Sequence, residues 1–519
     1  MPRKIKRALL LLVVASMLLT SLSGCAGGTD SSSESSTTSA QSGEPSDDRG
    51  SVTVGIAQDL DSLDPHKAIA AGTSEVLFNV FEGLVKASPD GEVIPAVASD
   101  YTISDDKTVY TFELREGVKF HNGEAVTVED VVYSLERCAG SENDGTPLIT
   151  AFSNVAEITA TDDTHVTVTL KEPNLEFIFS MTAAIIPAGY GDESSTAPIG
   201  TGPFKFVSYT PQDSFVMEKF DEYWGTPAYL DEVTFRIITS TETLVMSLKS
   251  GALDMVIHLP NTVANQVEGD FTIHQDTMKL VQALYLNNDV EPLDDVRVRQ
   301  AIYYAVDVQE IIDFVCDGAG VATGTSMYPA YTKYFMPELA EAYQQDLEKA
   351  RQLLTEAGYP DGFDLTITAP GNYEQHVQTA EVLEQQLGQI GINVNIETVE
   401  WETWVSDVYR GRDYMSTVCG VAASDMTARE MLVRYVSDSS TNFINFRNEE
   451  YDNAVNSAIA SIDDEEQTAL YKEAETILNE EAASIWIQDL CDLLVTIPEL
   501  DGVTLYRTYV LDMSTIYYK

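Results

Sequence analysis

The stretch at residues 110–137, YTFELREGVKFHNGEAVTVEDVVYSLER, decides the fold. Tyr110, Phe112 and Leu114 alternate with polar residues, the period-two pattern of a half-buried strand. Asn122-Gly123 supplies a turn. Thr127 and Asp130 stand at capping-box spacing, so each side chain accepts from the other's backbone N–H at the start of a helix that turns Val131, Val132 and Leu135 inward.

The alternation of strand and helix continues on both sides. Residues 51–57 read as a strand, 60–67 (LDSLDPHK) as a proline-bearing loop and 74–84 as a helix. At 165–170, Val166, Val168 and Leu170 alternate with threonines, again a strand. Leu347, Ala350, Leu353, Leu354 and Ala357 fall at helical spacing over 346–357, and Gly358 with Pro360 ends that helix. Residues 377–390 repeat the spacing up to Gly391, after which Ile392, Val394 and Ile396 alternate. Helices interleaved with strands predict an α/β fold with mixed sheets.

The chain has 519 residues, 44% of them hydrophobic, ample for more than one core, with 83 acids against 30 basic residues and a net charge of −53. Such a surface repels phosphate backbones and argues against a nucleic-acid partner. Solubility or salt adaptation explains the acidity, and it carries no ligand meaning. The N-terminus is basic at Arg3, Lys4, Lys6 and Arg7 and apolar over 8–22, as in a signal peptide. Residues 26–50 are Ser/Thr/Gly-rich and too polar to fold, so they read as a tether. Apart from Cys25, four cysteines remain, Cys138, Cys316, Cys419 and Cys491, whose three possible pairings the sequence does not rank. No CxxC, HExxH or GxSxG occurs, so neither a metal site nor a hydrolase is expected, nor is any cofactor.

Seven further strings stand in a fixed order: LDPHK (63–67), FEGL (81–84), PIGTGPFKF (198–206), DEYWGTPAYLDEV (221–233), PLDDVRVRQAIYYAVD (292–307), DLEKARQLLTEAGYPDGF (346–363) and NFRNEEYDNAV (445–455). Gly200-Thr201-Gly202-Pro203 lacks the Lys-Ser/Thr of a phosphate loop and fits a tight turn. Arg297, Arg299 and Asp307 read as ion-paired groups of one helix. Together with 110–137, these strings resemble the family 5 extracellular solute-binding proteins, receptors of peptide and nickel ABC importers. Leu22-Ser23-Gly24-Cys25 resembles a lipobox.

The resemblance implies a bilobal periplasmic-binding-protein-like fold with mixed sheets. Lobe I would comprise 51–81, 201–283 and 490–519, with an inserted subdomain at 82–200, and lobe II 284–489, with two hinge crossings near Tyr285 and Gln488. A signal peptide (1–24), a lipid-bearing Cys25 and the tether at 25–50 would precede them. The chain would be no enzyme but a membrane-anchored lipoprotein that delivers a peptide to ABC permease and ATPase subunits. Strand-like segments of both lobes would clamp the ligand, Ala70 and Ala71 from one and Cys419 and Gly420 from the other, lined by Tyr133 and Trp401. Asp425 would meet the peptide ammonium, and Arg429 a carboxylate or Asp425 itself. A receptor for a nickel chelate, haem or sugar, or a peptide-signal sensor, is the alternative on the same fold.

Overall fold

The computed structural model describes residues 50–422 and 427–519. Cys25, the leader, the tether and Asp425 therefore lie outside the described residues. The motif at 110–137 forms as its pattern requires. Strand Val109–Leu114 buries Tyr110 and Phe112, and helix Val128–Cys138 starts on a complete capping box, with Thr127 and Asp130 each accepting from the other's N–H. The strand joins Ala98–Ile103, His165–Leu170 and Val155–Ala160 in a four-stranded antiparallel sheet. Phe120, Val131, Leu135, Val166 and Val168 fill one core against it.

An 11-stranded mixed sheet organises the remainder. Its order is Asn393–Val399, Asp364–Pro370, Ser416–Val421, Thr272–Leu286, Ser484–Thr496, Met255–Leu259, Ser51–Ile56, Glu232–Ile237, Ser214–Lys219 and Phe204–Thr210, with Val321–Ala322 beside Ser484–Thr496. Ser51–Ile56 runs parallel to both its neighbours, as does Asp364–Pro370. Such parallel pairs need crossover helices, which is why helices alternate with strands in the sequence.

Two long strands hold the sheet together. Thr272–Leu286 and Ser484–Thr496 pair antiparallel from Thr272↔Thr496 to Tyr285↔Ser484. Val281–Leu286 and Ile485–Cys491 belong to one hydrophobic core, whereas Leu493 and Val495 belong to a second and Leu494 to a third. Between the cores the register shifts at Thr277–Val281, and Lys279 takes a left-handed φ of 56°, a conformation costing a non-glycine residue about 1–3 kcal/mol. The buried Asp489 carboxylate accepts from the Leu280 N–H at 3.1 Å, replacing the ladder bond that the bulge breaks.

The recurrent strings anchor one another. Glu82 of FEGL is buried and accepts from Lys86, Tyr223, Trp224 and Thr201, which joins it to the third and fourth strings. Gly200 and Gly202 lie on the backbone of Val80, where a Cβ at Gly200 would come within 2.0 Å of a carbonyl oxygen. Strand Phe204–Thr210 follows, so this is a close-packed turn and not the start of a helix.

Three expectations are corrected. The first helix spans Ala71–Leu77, not 74–84, because the buried Asn79 side chain caps the carbonyls of Glu75 and Val76 and bonds Leu511 as well. Residues 69–72 accordingly do not form a strand; the helix begins within them. Asp307 does not share a helix with Arg297 and Arg299. Helix Val296–Ala305 ends before it, and Asp307 caps Val308–Cys316. Arg297 pairs with Asp295, while the buried Arg299 donates mainly to the carbonyls of Leu293, Glu481 and Ala482.

Burial pushes the carboxyl of Asp489 up to about 7 and that of Glu475 up to about 8. Between the ordinary carboxyl range near ~4 and those values, the folded chain holds protons that the unfolded chain releases, so stability falls as pH rises. Each group contributes a slope of up to about 1.4 kcal/mol per pH unit. Chemical denaturation should therefore give a lower unfolding free energy at pH 8 than at pH 5, and the Asp489→Asn/Glu475→Gln double variant should flatten the difference. An unchanged pH slope in that variant would contradict the assignment.

Candidate functional site

Three kinds of wall meet beside the crossing strands. The first is a strand edge. Ser416–Val421 pairs with Thr272–Leu286 along its whole length, from Leu286↔Ser416 to Val281↔Val421, but with Asp364–Pro370 only at Ser416 and Thr417. Residues 418–421 thus have ladder partners on one side and an edge on the other. Gly420 allows Leu280 to approach so closely that a Cβ would lie 1.8 Å from its methyl carbon. Cys419 is buried, and burial pushes its thiol up to about 12, so it packs as a small apolar group and not as a nucleophile.

The second wall is aromatic. Trp401 is half-buried, stacks on Trp404 at 5.1 Å and meets Tyr373 edge-on at 5.4 Å. Trp404 is buried and donates from Nε1 to Thr417 Oγ1 at 2.9 Å, which fixes the stack to the strand that carries Cys419 and Gly420. Tyr373 lies within electrostatic range of both Cys419 and Tyr509, bringing this wall to the third.

The third wall is ionic. His258, at the end of strand Met255–Leu259, holds a left-handed φ of 56°. Its Nδ1 meets Asp492 at 2.9 Å and its Nε2 meets Glu75 at 2.9 Å, while Tyr509 stacks on the ring at 4.8 Å. Burial alone would lower the imidazole pKa, but Asp492 and Glu75 raise it well above the ordinary value. His258 is therefore an imidazolium with both N–H groups donating. Two carboxylates flank one cation, so one acid is left uncompensated. A cavity of about 50 Å³ opens here, lined by Glu75, His258, Lys279, Asp492, Thr508 and Tyr509 among others. Ligand pockets measure about 300–1,000 Å³. In this conformation, then, the cavity accepts a headgroup and not a whole solute.

The positions selected from the sequence divide. Trp401, Cys419 and Gly420 come together at the strand edge. Ala70 and Ala71 stand at the N-terminus of helix Ala71–Leu77, which carries Glu75 on its buried side. Tyr133 is half-buried; its hydroxyl donates to Glu142 and accepts from Gly191 N–H. Arg429 is the second residue of helix Ala428–Val433, and its N–H donates to Glu176, which also accepts from Tyr471 at 2.7 Å. The sequence does not point to Glu75, His258, Asp492 or Tyr509. The partners of His258 lie 183 and 234 residues away, and no local spacing announces them. Among the described residues no group of His, Cys, Asp and Glu is arranged to hold a metal ion, and no helix is long and apolar enough to cross a membrane.

A mixed sheet divided between cores by two crossing strands, with side chains converging at the crossing, defines a bilobal periplasmic-binding class of protein. Residues 92–443 match the model of the bacterial extracellular solute-binding proteins, family 5, and the chain belongs to that family. It is 29% identical over 473 residues to the glutathione-binding protein GsiB of Salmonella paratyphi A, covering 86% of this chain and 90% of GsiB. Among solved structures, it superposes on the periplasmic binding protein DppA of Helicobacter pylori in complex with the peptide STSA (TM-score 0.79, 24% identity, 90% and 98% coverage). It also superposes on AgaA of A. tumefacien R10 in complex with agropinic acid (TM-score 0.78, 26% identity, 91% and 99% coverage). The chain is thus a solute-binding protein of the ABC-importer type.

An imidazolium held by two acids should remain charged well past the ordinary histidine range near 6.5. Because its folded pKa is raised, its stabilising contribution is complete only below about 6.5 and is lost progressively as pH rises from there through the elevated value. Nitrogen-detected NMR of the histidine side chains should show both His258 ring nitrogens protonated at pH 8. A neutral ring at that pH would refute the ionic wall.

Proposed function

We propose that the protein captures a peptide or peptide-like solute in this cleft and hands it to an ABC permease. The observation that carries the reading is the strand edge at 418–421. An extended ligand backbone can add to it by β-augmentation, taking affinity from main-chain hydrogen bonds while side chains lie in loose pockets. The Trp401–Tyr373 wall offers apolar area to those side chains. The uncompensated acid beside His258 suits a ligand ammonium, a role that Asp425 would share from the segment after the strand. GsiB and DppA, whose names record glutathione and a peptide, support this reading. AgaA, which holds agropinic acid, supports a non-peptide solute on the same fold.

Lobe I in this reading is 51–81, 201–283 and 490–519, the inserted subdomain 82–200 and lobe II 284–489. The hinge motion centres on the bulge at 278–280 and the facing Asp489–Asp492, somewhat before Tyr285 and just beyond Gln488. A cavity of about 50 Å³ requires the lobes to part before a solute enters, and closure then selects the state that touches it from both sides.

Native mass spectrometry of the protein isolated from a rich medium tests the ligand class. A ladder of peptide masses is expected. One sharp non-peptide mass would replace the peptide reading with the solute reading.

The lipobox-like string supports a position on the outer face of a membrane, held through an acylated Cys25. Since each buried methylene contributes about 0.8 kcal/mol, two or more acyl chains anchor firmly where one does not. Cys25→Ala should appear in the medium or persist as an uncleaved precursor. A mature-sized, membrane-bound Cys25→Ala protein would show that the anchor lies elsewhere.

A further inference from the structure

Four cysteines lie in the described residues, and the structure separates them. Cys138 belongs to the core of the four-stranded sheet, away from the other three. Cys419 stands opposite Ala283, and Cys491 opposite Thr277, on the same crossing strand. Six residues of strand span roughly 20 Å, well beyond the about 4.4–6.8 Å between Cα atoms that a disulfide permits. Cys316 and Cys491, by contrast, are adjacent. The Cys491 N–H points at Cys316 Sγ from 3.5 Å, and the two thiols are in hydrogen-bonding contact. Both are buried, in the same core.

The setting holds them there. Cys316 ends helix Val308–Cys316, and Asp317 and Gly318 follow with left-handed φ values of 47° and 79°, so the chain turns away sharply behind the thiol. Asn261 donates from its side chain to the Cys316 carbonyl at 2.9 Å and from its backbone to the Cys491 sulfur. Among the described residues, neither cysteine belongs to a group arranged to hold a metal ion.

We propose that Cys316 and Cys491 are the site of a structural disulfide, formed by exchange with a disulfide-bearing oxidant outside the cytoplasm, where the family places the chain. The reaction balances without a further reagent. One thiolate attacks the incoming disulfide and expels one of its sulfurs as a thiol. The second cysteine then attacks the mixed disulfide, the Cys316–Cys491 bond forms, and the oxidant leaves as its second thiol. Two electrons and two protons pass from the pair to the oxidant. Because both sulfurs are buried once the core closes, exchange belongs to folding, and the finished bond is shielded from reductants.

The bond would close a loop of 175 residues and constrain the unfolded chain accordingly. It would also tie the crossing strand to a helix on one side only. Leu493 to Val495, beyond it, pack in other cores and remain free to move with them.

Tryptic cleavage puts each of the four cysteines on a separate peptide, Cys316 on 300–333 and Cys491 on 473–507. The exported full chain, acid-quenched, alkylated in denaturant and digested without reductant, should yield these two peptides joined and two hydrogens lighter than their sum. Cys138 and Cys419 should be alkylated. Alkylated Cys316 or Cys491, or either one joined to another cysteine, would overturn the proposal. In a second measurement, a dithiol reductant should lower the denaturation midpoint of the wild type but not that of Cys316→Ser or Cys491→Ser. An equal effect of reductant on all three proteins would also overturn it.

Discussion

The arrangement of the first half of the chain depends on one buried cation. The Arg137 side chain is 1% exposed, and that of Asp64, its partner, is fully buried. Two guanidinium nitrogens bond the Asp64 carboxylate at 3.0 and 2.6 Å, one of them also meets His66 Nδ1 at 2.8 Å, and Nε bonds Glu142 at 3.0 Å. Burial would raise the Asp64 carboxyl, but Arg137 holds it below the usual range. His66 is driven down to about 4, first by burial and then by the same guanidinium, so it is neutral: Nδ1 accepts from Arg137, and Nε2–H donates to the Ala184 carbonyl. Losing one member of such a pair costs about 3–5 kcal/mol, a large part of the about 5–15 that hold a domain together. The loop that carries Asp64 leads directly into the helix that carries Glu75. The ion pair therefore sets the position of a cleft wall without touching the cleft.

A second constraint acts at the crossing. Gln282 and Gln488 face each other across the long strands and share a side-chain bond at 2.9 Å. Gln282 also donates to His376, which burial keeps neutral at about 3, and accepts from Thr379. These amides lock the strands together on one side of the bulge. On the other side, Lys279 turns back to Asp276 and to the Thr277 carbonyl. The crossing is thus tied by side chains at the glutamines, where the register also shifts between Gln282 and Ala283, and is irregular again three residues away.

What the sequence disclosed follows from the range of each interaction. The capping box at Thr127 and Asp130, the alternation at 165–170 and the Gly358 stop are local, and they appear in place. The end of the first helix is not legible locally because its cap, Asn79, also bonds Leu511, at the far end of the chain. Helical spacing continues across the break between two helices, which hides the separation of Asp307 from Arg297 and Arg299. Trp401, Cys419 and Gly420 are legible only through strings that resemble a family, not through their chemistry. His258 could not be reached at all, since neither its left-handed backbone nor its two distant acids leaves a trace in the neighbouring residues.

Strand Ser51–Ile56 opens the described chain, yet its ladder partners lie at 232–237 and 255–256, and Tyr518 donates to the Ser51 carbonyl from 467 residues away. A chain that emerges from its N-terminus cannot complete this part of the sheet until its last residues arrive. The core around Val281–Cys491 has no such dependence, because every strand it uses lies within a contiguous run. Order of assembly is therefore built into the topology: the core around Val281–Cys491 can condense from one contiguous run, whereas the first strand has no ladder partner until residues 232–237 and 255–256 are available.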